Sequence, residues 1–102
     1  MHELIWTRRA EEHLQRVFSE LDSVAPSIAE TWLVDVGKRV ELLSQFPEMA
    51  GMCRTPFRKL KLGRELGLFY TIEGRRLILS GIFPLRMDPE TILRRLQQKD
   101  WP

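Results

Sequence analysis

Residues 66–84, LGLFYTIEGRRLILSGIFP, contain two strand-like segments separated by a glycine, and this stretch decides the class of fold. Leu66–Glu73 is rich in the aromatic and β-branched side chains that favour strands, and Arg76–Pro84 is a second segment of the same kind. Gly74 lies between them, where a glycine permits the backbone angles of a tight turn. The stretch therefore predicts a hairpin of two antiparallel strands.

A further strand is predicted immediately before this hairpin. In residues 57–62, FRKLKL, side chains alternate between two sides of a strand. Phe57, Lys59 and Lys61 share one side, and Arg58, Leu60 and Leu62 share the other. Residues 63–65 then form a turn. Three successive strands with short glycine-containing connections predict an antiparallel meander.

Two amphipathic helices are predicted on the N-terminal side of the meander. Thr7 is suited to cap the first helix, whose apolar residues recur at helical spacing from Ala10 to Leu21. The second helix begins near Pro26 and runs to about Gln45, ahead of a proline that disfavours helix. Because so few residues separate the helices, they should form an antiparallel hairpin.

Three shorter segments complete the predicted order. Residues 3–6 form a short first strand, residues 46–56 form a loop, and residues 90–98 form a last helix. The order is β-α-α-β-β-β-α, an α+β fold with an N-terminal helical hairpin packed on a small antiparallel sheet. A chain of 102 residues has room for one such core, so residues 1–102 are predicted to be a single domain.

The composition is that of an ordinary globular protein, with 43% hydrophobic and 29% charged residues. Its apolar stretches are far shorter than the ~20 residues that span a bilayer, so no membrane association is expected. The N-terminus has neither the basic nor the apolar region of a signal peptide. A single cysteine, Cys53, excludes an internal disulfide. We therefore expect a cytoplasmic protein.

Residues suited to acid–base or metal chemistry are few. The histidines are His2, near the terminus, and His13, which lies beside the apolar stripe of the first helix and is predicted to face solvent. Tyr70 is expected to pack with its hydroxyl at the sheet margin rather than to transfer protons. The sequence contains no phosphate-binding glycine loop and no two carboxylates at a spacing typical of a catalytic or metal site. Neither a metal nor another cofactor is therefore expected. The roles of Cys53 and Trp101 stay open.

Positive charge is concentrated in the second half of the chain. Residues 1–53 carry a net charge of −4 and residues 54–102 a net charge of +6. Five basic residues and no acid lie within residues 54–64, and Arg86 follows the last strand. Such a cluster can neutralise RNA phosphates, stabilise charge on a transferring phosphoryl group or dock on an acidic protein. It can equally protect an edge strand against aggregation.

Four segments together resemble the RelE/ParE superfamily of bacterial type II toxins. Ile5-Trp6-Thr7 is followed by Ala10 and Leu14, and residues 46–49, FPEM, end the helical hairpin. The other two are residues 68–72, LFYTI, and 81–89, GIFPLRMDP. The resemblance covers nearly the whole chain and implies the order of elements derived above. It also implies a cognate antitoxin that lays a helix or extended segment across the toxin, and hence a hetero-oligomer.

The RelE-like branch of the superfamily consists of ribosome-dependent mRNA endonucleases. Lys59 and Lys61 match its strand lysines, and Arg86 matches its transition-state arginine. However, Gly67 replaces the arginine expected before the Leu-Phe-Tyr strand, and no tyrosine or histidine follows residue 86. Cleavage would therefore lack the ~10²–10⁴-fold contribution of acid–base catalysis.

The ParE-like branch poisons DNA gyrase and needs no nuclease residues. Residues 82–88, IFPLRMD, are closer to this branch, although Pro84 stands where a histidine is common. We therefore predict a ParE-like gyrase inhibitor that is not an enzyme. The alternatives are an endonuclease that acts on the ribosome and mRNA, with Lys59, Lys61 and Arg86 as its catalytic set, and a degenerate toxin that only binds its antitoxin. The predicted partner-binding residues are Arg58, Lys59, Lys61, Arg64, Arg86, Arg94 and Arg95.

Overall fold

The computed structural model describes residues 1–63 and 65–98, so the predictions for Arg64 and Trp101 lie outside the described residues. The chain contains, in order, β1 (Glu3–Trp6), α1 (Arg8–Val24), α2 (Pro26–Gln45), β2 (Met52–Arg54), β3 (Phe57–Leu62), β4 (Leu66–Glu73), β5 (Arg76–Pro84) and α3 (Pro89–Gln97). The predicted α+β class and the order of the main elements are confirmed.

The strands form one five-stranded sheet in the order β1-β5-β4-β3-β2. The β2–β3, β3–β4 and β4–β5 pairs are antiparallel, as the predicted meander of β3 to β5 requires. Strand β1 instead runs parallel to β5, with Glu3 opposite Arg76 and Trp6 opposite Leu79. The sheet is therefore mixed. Nothing local in residues 3–6 sets this direction, because the partner strand lies some seventy residues further along the chain.

The predicted loop over residues 46–56 contains the additional strand β2. This strand has three exposed residues and pairs with β3 through Met52 opposite Arg58 and Arg54 opposite Phe57. A strand this short has no readable period, and it exists only because β3 provides the partner. Its presence makes β2, rather than β3, the edge of the sheet.

The helical hairpin begins at the predicted cap. Thr7 Oγ1 accepts a hydrogen bond from the Ala10 N–H at 3.1 Å, an arrangement that contributes roughly 1 kcal/mol to a helix. Helix α1 ends at Val24, slightly beyond the predicted end. Helix α2 begins at Pro26 and ends at Gln45, as predicted.

The hairpin packs on one side of the sheet, which we call the hairpin face. Leu68, Tyr70, Leu77 and Leu79 on this face have no exposed surface. They pack in one cluster with Ala10 of α1 and with residues of α2, namely Val36, Val40 and Leu43.

The opposite side of the sheet, which we call the α3 face, carries a smaller apolar cluster. Phe57, Phe69 and Phe83 project from β3, β4 and β5, and Ile92 and Leu96 of α3 pack against them. The rings of Phe69 and Phe83 meet edge to face, with centroids 5.9 Å apart. Helix α3 therefore covers the side of the sheet that α1 and α2 leave open.

Candidate functional site

Lys59 and Lys61 project from the α3 face. Leu60 and Leu62, which alternate with them, are buried in the cluster of the hairpin face. Lys59 is half-buried, whereas Lys61 is exposed. None of the ion pairs within residues 1–63 and 65–98 includes either lysine. The alternation read from the sequence therefore places both charges on the predicted side.

Gly67 lies opposite Lys61 in the β3–β4 pair and on the same face of the sheet. A Cβ atom at this position would be 2.8 Å from Leu85 Cδ2 and 3.2 Å from Lys59 Cγ. Both distances are shorter than ordinary carbon–carbon contacts. The aliphatic stem of Lys59 and the Leu85 side chain therefore occupy the space in which an arginine at this position would begin.

Arg86 follows the last strand of the sheet. It is exposed in the turn after β5, where the Leu85 N–H donates to the Glu65 carbonyl at 2.7 Å. Arg86 lines a depression together with Glu20 and Glu65, and Lys59 lines a cavity beneath α3; Leu85 lines both. The catalytic role of Lys59, Lys61 and Arg86 stays a prediction.

Helix α3 presents Arg94 and Arg95 to solvent. Asp88 caps the helix by accepting from the Thr91 N–H at 3.2 Å, and Glu90 forms an ion pair with Arg54 of β2 at 3.0 Å. The far end is held by α1, because Arg9 Nη1 donates to the Arg95 and Gln98 carbonyls. The side chains of Arg94 and Arg95 belong to no ion pair of the described chain.

Arg58 is on the opposite side of the sheet from Lys59 and serves a structural contact. Its Nη1 donates to the Ala50 carbonyl at 2.8 Å and, more weakly, to the Glu48 carbonyl at 3.4 Å. The loop after α2 is thereby tied to β3. A guanidinium that donates in this way to partly buried backbone has fewer donors for a partner.

Tyr70 ties the same loop to the sheet from inside the core. Its side chain is fully buried, and its hydroxyl donates to the Pro47 carbonyl at 2.7 Å. Burial raises the pKa of Tyr70, and the nearby Arg58 guanidinium opposes that shift. The phenol is therefore neutral near pH 7 and its proton is engaged, as expected for a packing residue rather than a catalytic acid.

His13 is not the solvent-facing residue that was predicted. Its ring is half-buried and packs edge to face on Phe83, with centroids 5.0 Å apart. Its Nδ1 accepts a hydrogen bond from the Ile82 N–H at 3.0 Å. Burial lowers the pKa of His13. The positive charges of three arginines lower this pKa further, and the Glu12 carboxylate opposes the shift; the arginines are Arg16, Arg9 and Arg95. His13 is therefore neutral at pH 7 and acts as an acceptor.

The hydrogen bond between His13 and Ile82 belongs to a row of contacts along the edge of β5, which is longer than its neighbour β1. Strand β1 has four residues and β5 has nine, so no strand of residues 1–63 and 65–98 pairs with the outer edge of β5 beyond Leu79. Helix α1 supplies the missing groups: Thr7 Oγ1 donates to the Leu79 carbonyl, Arg9 Nε donates to the Ser80 carbonyl, and His13 accepts from Ile82. Unpaired backbone groups at a buried edge are costly, which accounts for this row of polar residues.

Two properties of the described residues bear on membranes and metals. Neither α1, α2 nor α3 combines the length and apolar character needed to cross a bilayer. Across residues 1–63 and 65–98, no three side chains of histidine, cysteine, aspartate or glutamate come together as a metal site would require.

Comparison with known proteins finds one family model that matches the chain and solved structures with a similar fold. Residues 4–89 match the family model described as the ParE toxin of the type II toxin–antitoxin system, parDE. One similar solved structure, described as the chromosomal ParDE TA system from P. aeruginosa, has a TM-score of 0.72 and 23% sequence identity. The similarity covers 84% of this chain and 98% of that one.

A second similar structure is a copper-bound L66S mutant toxin from Helicobacter pylori. Its TM-score is 0.61 at 17% identity, and the similarity covers 83% of this chain and 96% of that chain. Among curated proteins, no significant match is found. At these identities the solved structures show the fold alone, whereas the family model extends over most of the chain.

Proposed function

The chain belongs to the ParE toxin family of type II toxin–antitoxin systems, and we propose that it inhibits DNA gyrase and is neutralised by a cognate antitoxin. The observation that carries this proposal is the family match over residues 4–89, taken with a sequence in which no tyrosine or histidine follows residue 86. We propose that it acts in the cytoplasm, where gyrase meets DNA.

The packing around Gly67 supports the gyrase branch over RNA cleavage. Gly67 is covered by the Lys59 stem and Leu85, so the space in which an arginine at this position would begin is occupied. Cleavage of RNA would also need a side chain that transfers a proton, and the Tyr70 hydroxyl already donates to the Pro47 carbonyl. The half-buried His13 is committed to the β5 backbone and is not free to act as a base there.

We assign the gyrase contact to exposed arginines of the C-terminal region. Arg86 precedes α3, and Arg94 and Arg95 lie on its solvent side. Because these guanidinium groups have no ion-pair partner within the described residues, they can meet acidic protein or DNA phosphate without first breaking an ion pair; Arg94 gives up at most a long hydrogen bond of 3.4 Å to Thr91 Oγ1.

We assign the antitoxin contact to a different surface at the end of α2 and along β2. Leu42, Phe46, Met49 and Met52 are between 44% and 58% exposed, although all four are large and apolar. Exposed apolar side chains gathered in one segment are typical of protein-binding surfaces. The exposed edge of β2 beside them can pair with an extended segment of a partner.

The proposal is tested by adding the purified protein to purified gyrase and measuring supercoiling of relaxed plasmid. Inhibition at micromolar concentration is expected. The same preparation is then added to translating ribosomes, where no site-specific mRNA cleavage is expected. Unaffected supercoiling combined with mRNA cleavage would replace this proposal by the endonuclease alternative. Absence of both effects, together with harmless overexpression, would indicate a degenerate toxin.

A further inference from the structure

A small cavity lies between α3 and the sheet, bordered by Cys53 and Arg54 of β2 and by Leu85 and Met87, the neighbours of Arg86. Its volume is about 140 Å³. Its walls are mainly apolar and come from both sides, including Phe57 and Phe69 of the sheet and Ile92, Leu93 and Leu96 of α3. A volume of roughly 150 Å³ is enough to hold a benzene ring. The cavity therefore has room for one ring-sized apolar group.

Lys59 gives this apolar cavity a positive charge. Its stem crosses Gly67, with Cγ and Cδ within 3.3 Å of where a Cβ atom would lie, and the side chain lines the cavity. The residue is half-buried and enters no ion pair inside the described ranges. The second cation in the lining, Arg54, already faces Glu90 at 3.0 Å. An ammonium on a lining side chain that belongs to no ion pair of the described residues can attract an anionic partner.

We propose that this cavity binds a small organic carboxylate whose apolar body is a single ring, with Lys59 holding the carboxylate. An apolar cleft with a few convergent polar groups is the usual form of a small-molecule site. The charged and thiol groups in the lining are the Cys53 thiol, the Lys59 ammonium and the Arg54 guanidinium, which is paired with Glu90. No carboxylate side chain lines the cavity. A neutral ring gains only the apolar contacts, and a cationic ring is repelled.

The cavity is not lined by the proposed gyrase arginines, so binding to it and inhibition of gyrase are separate readouts. It lies beneath the helix that carries two of them. A bound carboxylate would therefore stabilise the packing of α3 on the sheet.

Cys53 provides a direct test, because it is the single cysteine of the chain, is exposed and lines the cavity. The rate of its alkylation by iodoacetamide is measured by mass spectrometry on the full chain with increasing benzoate, benzyl alcohol or benzylamine. Benzoate should slow the reaction in a saturable manner. Benzyl alcohol should need about a tenfold higher concentration, as expected for loss of a charged hydrogen bond. Benzylamine should not protect.

Matched variants separate the charge from the shape of the cavity. Lys59→Met keeps the stem but removes the ammonium, and should make benzoate no better than benzyl alcohol. Lys61→Met removes the neighbouring exposed charge on the same face and should leave protection unchanged. Leu93→Phe should fill the cavity and abolish protection by both compounds. Equal protection by benzoate and benzyl alcohol in the unmodified protein, no saturable protection, or full protection in Leu93→Phe would each overturn the proposal.

Discussion

The two faces of the sheet are built differently. On the hairpin face, two helices of 17 and 20 residues bury Leu68, Leu77 and Leu79 completely. On the α3 face, one helix of nine residues covers three phenylalanines and leaves a cavity beside Lys59. The hairpin face therefore supplies most of the apolar burial that stabilises the fold. The α3 face carries Lys59 and Lys61, which belong to no ion pair of the described residues.

This difference indicates that the hairpin face mainly stabilises the fold, whereas the α3 face is the one that binding can influence. Elements with few buried contacts open at lower free energy than the core and are the ones that binding can most easily influence. Helix α3 is held by Ile92 and Leu96, by one exposed ion pair and by Arg9. We expect α3 to respond to partners while the hairpin face stays packed.

The largest expected effect comes from truncating one buried residue on each face. Leu68→Ala should lower the free energy of unfolding by about 3 kcal/mol, because it leaves a cavity in a fully packed core. Ile92→Ala should cost about 2 kcal/mol or less, since α3 can detach from the rest. Urea denaturation measures both values. Hydrogen exchange should show local loss of protection in α3 for Ile92→Ala, and equal global costs would contradict the contrast between the faces.

A second prediction concerns the closed surface at Gly67. Gly67→Arg should lower the free energy of unfolding by about 1–3 kcal/mol, because the new side chain must displace Leu85 and the Lys59 stem. The matched control is Gly51→Arg, where a Cβ atom meets nothing within 4 Å. Thermal denaturation distinguishes the two. An unchanged free energy of unfolding for Gly67→Arg would contradict this account, because Leu85 and the Lys59 stem would then move aside at no cost.

The third prediction tests the contact that joins α1 to β5. The folded-state pKa of His13 is lowered, so its neutral form is favoured by folding. The resulting stabilisation is complete above the unfolded-state pKa of about 6.5 and is lost as the pH falls through the lower folded-state pKa. The free energy of unfolding should therefore decrease below pH 6.5.

His13→Asn keeps an acceptor near the Ile82 N–H but does not titrate. Its unfolding free energy should fall less steeply over the same pH range, when both proteins are measured by urea denaturation. His13→Ala should cost about 1–3 kcal/mol at pH 7, because the Ile82 N–H is left without its partner. Parallel pH profiles for His13→Asn and the unmodified protein would remove the proposed role of His13.

The smallest effect is expected at the ion pair between Arg54 and Glu90. Both side chains are more than half exposed, at 57% and 63%, so Glu90→Gln should change the free energy of unfolding by less than about 0.5 kcal/mol. The measurement is made at low and high salt, and any difference should vanish at high salt. A cost above about 1 kcal/mol would show that this pair holds α3 more firmly than its exposure allows.

Local patterns in the sequence were sufficient for most elements. The Thr7 cap, both ends of α2 and the alternation of Lys59 and Lys61 follow from spacing and turn chemistry within a few residues. These features depend on neighbours along the chain, which the sequence displays directly. The same reasoning correctly placed Lys59 and Lys61 on one face of the sheet.

The features that were missed depend on partners distant in the sequence. Strand β2 exists because β3 pairs with it, and the direction of β1 is set by β5. His13 lies next to the apolar stripe of α1, but its acceptor role arises only because β1 stops short of the end of β5. The lengths of the two strands could have signalled an unpaired edge. The cavity beside Lys59 depends on how α3 packs, which no periodicity reveals.

The central claim is that this toxin acts on gyrase through the arginines of α3. It is tested most directly by gyrase supercoiling with the double variant Arg94→Gln/Arg95→Gln, compared with Arg75→Gln/Arg76→Gln. The control pair is also adjacent and exposed, but Arg75 lies in the turn between β4 and β5, and Arg76 begins β5 and forms an ion pair with Glu3 at 3.7 Å. We predict that the α3 variant loses inhibition at least about tenfold, a change of roughly 1.4 kcal/mol, while the control inhibits like the unmodified protein. Equal inhibition by all three proteins would contradict the claim.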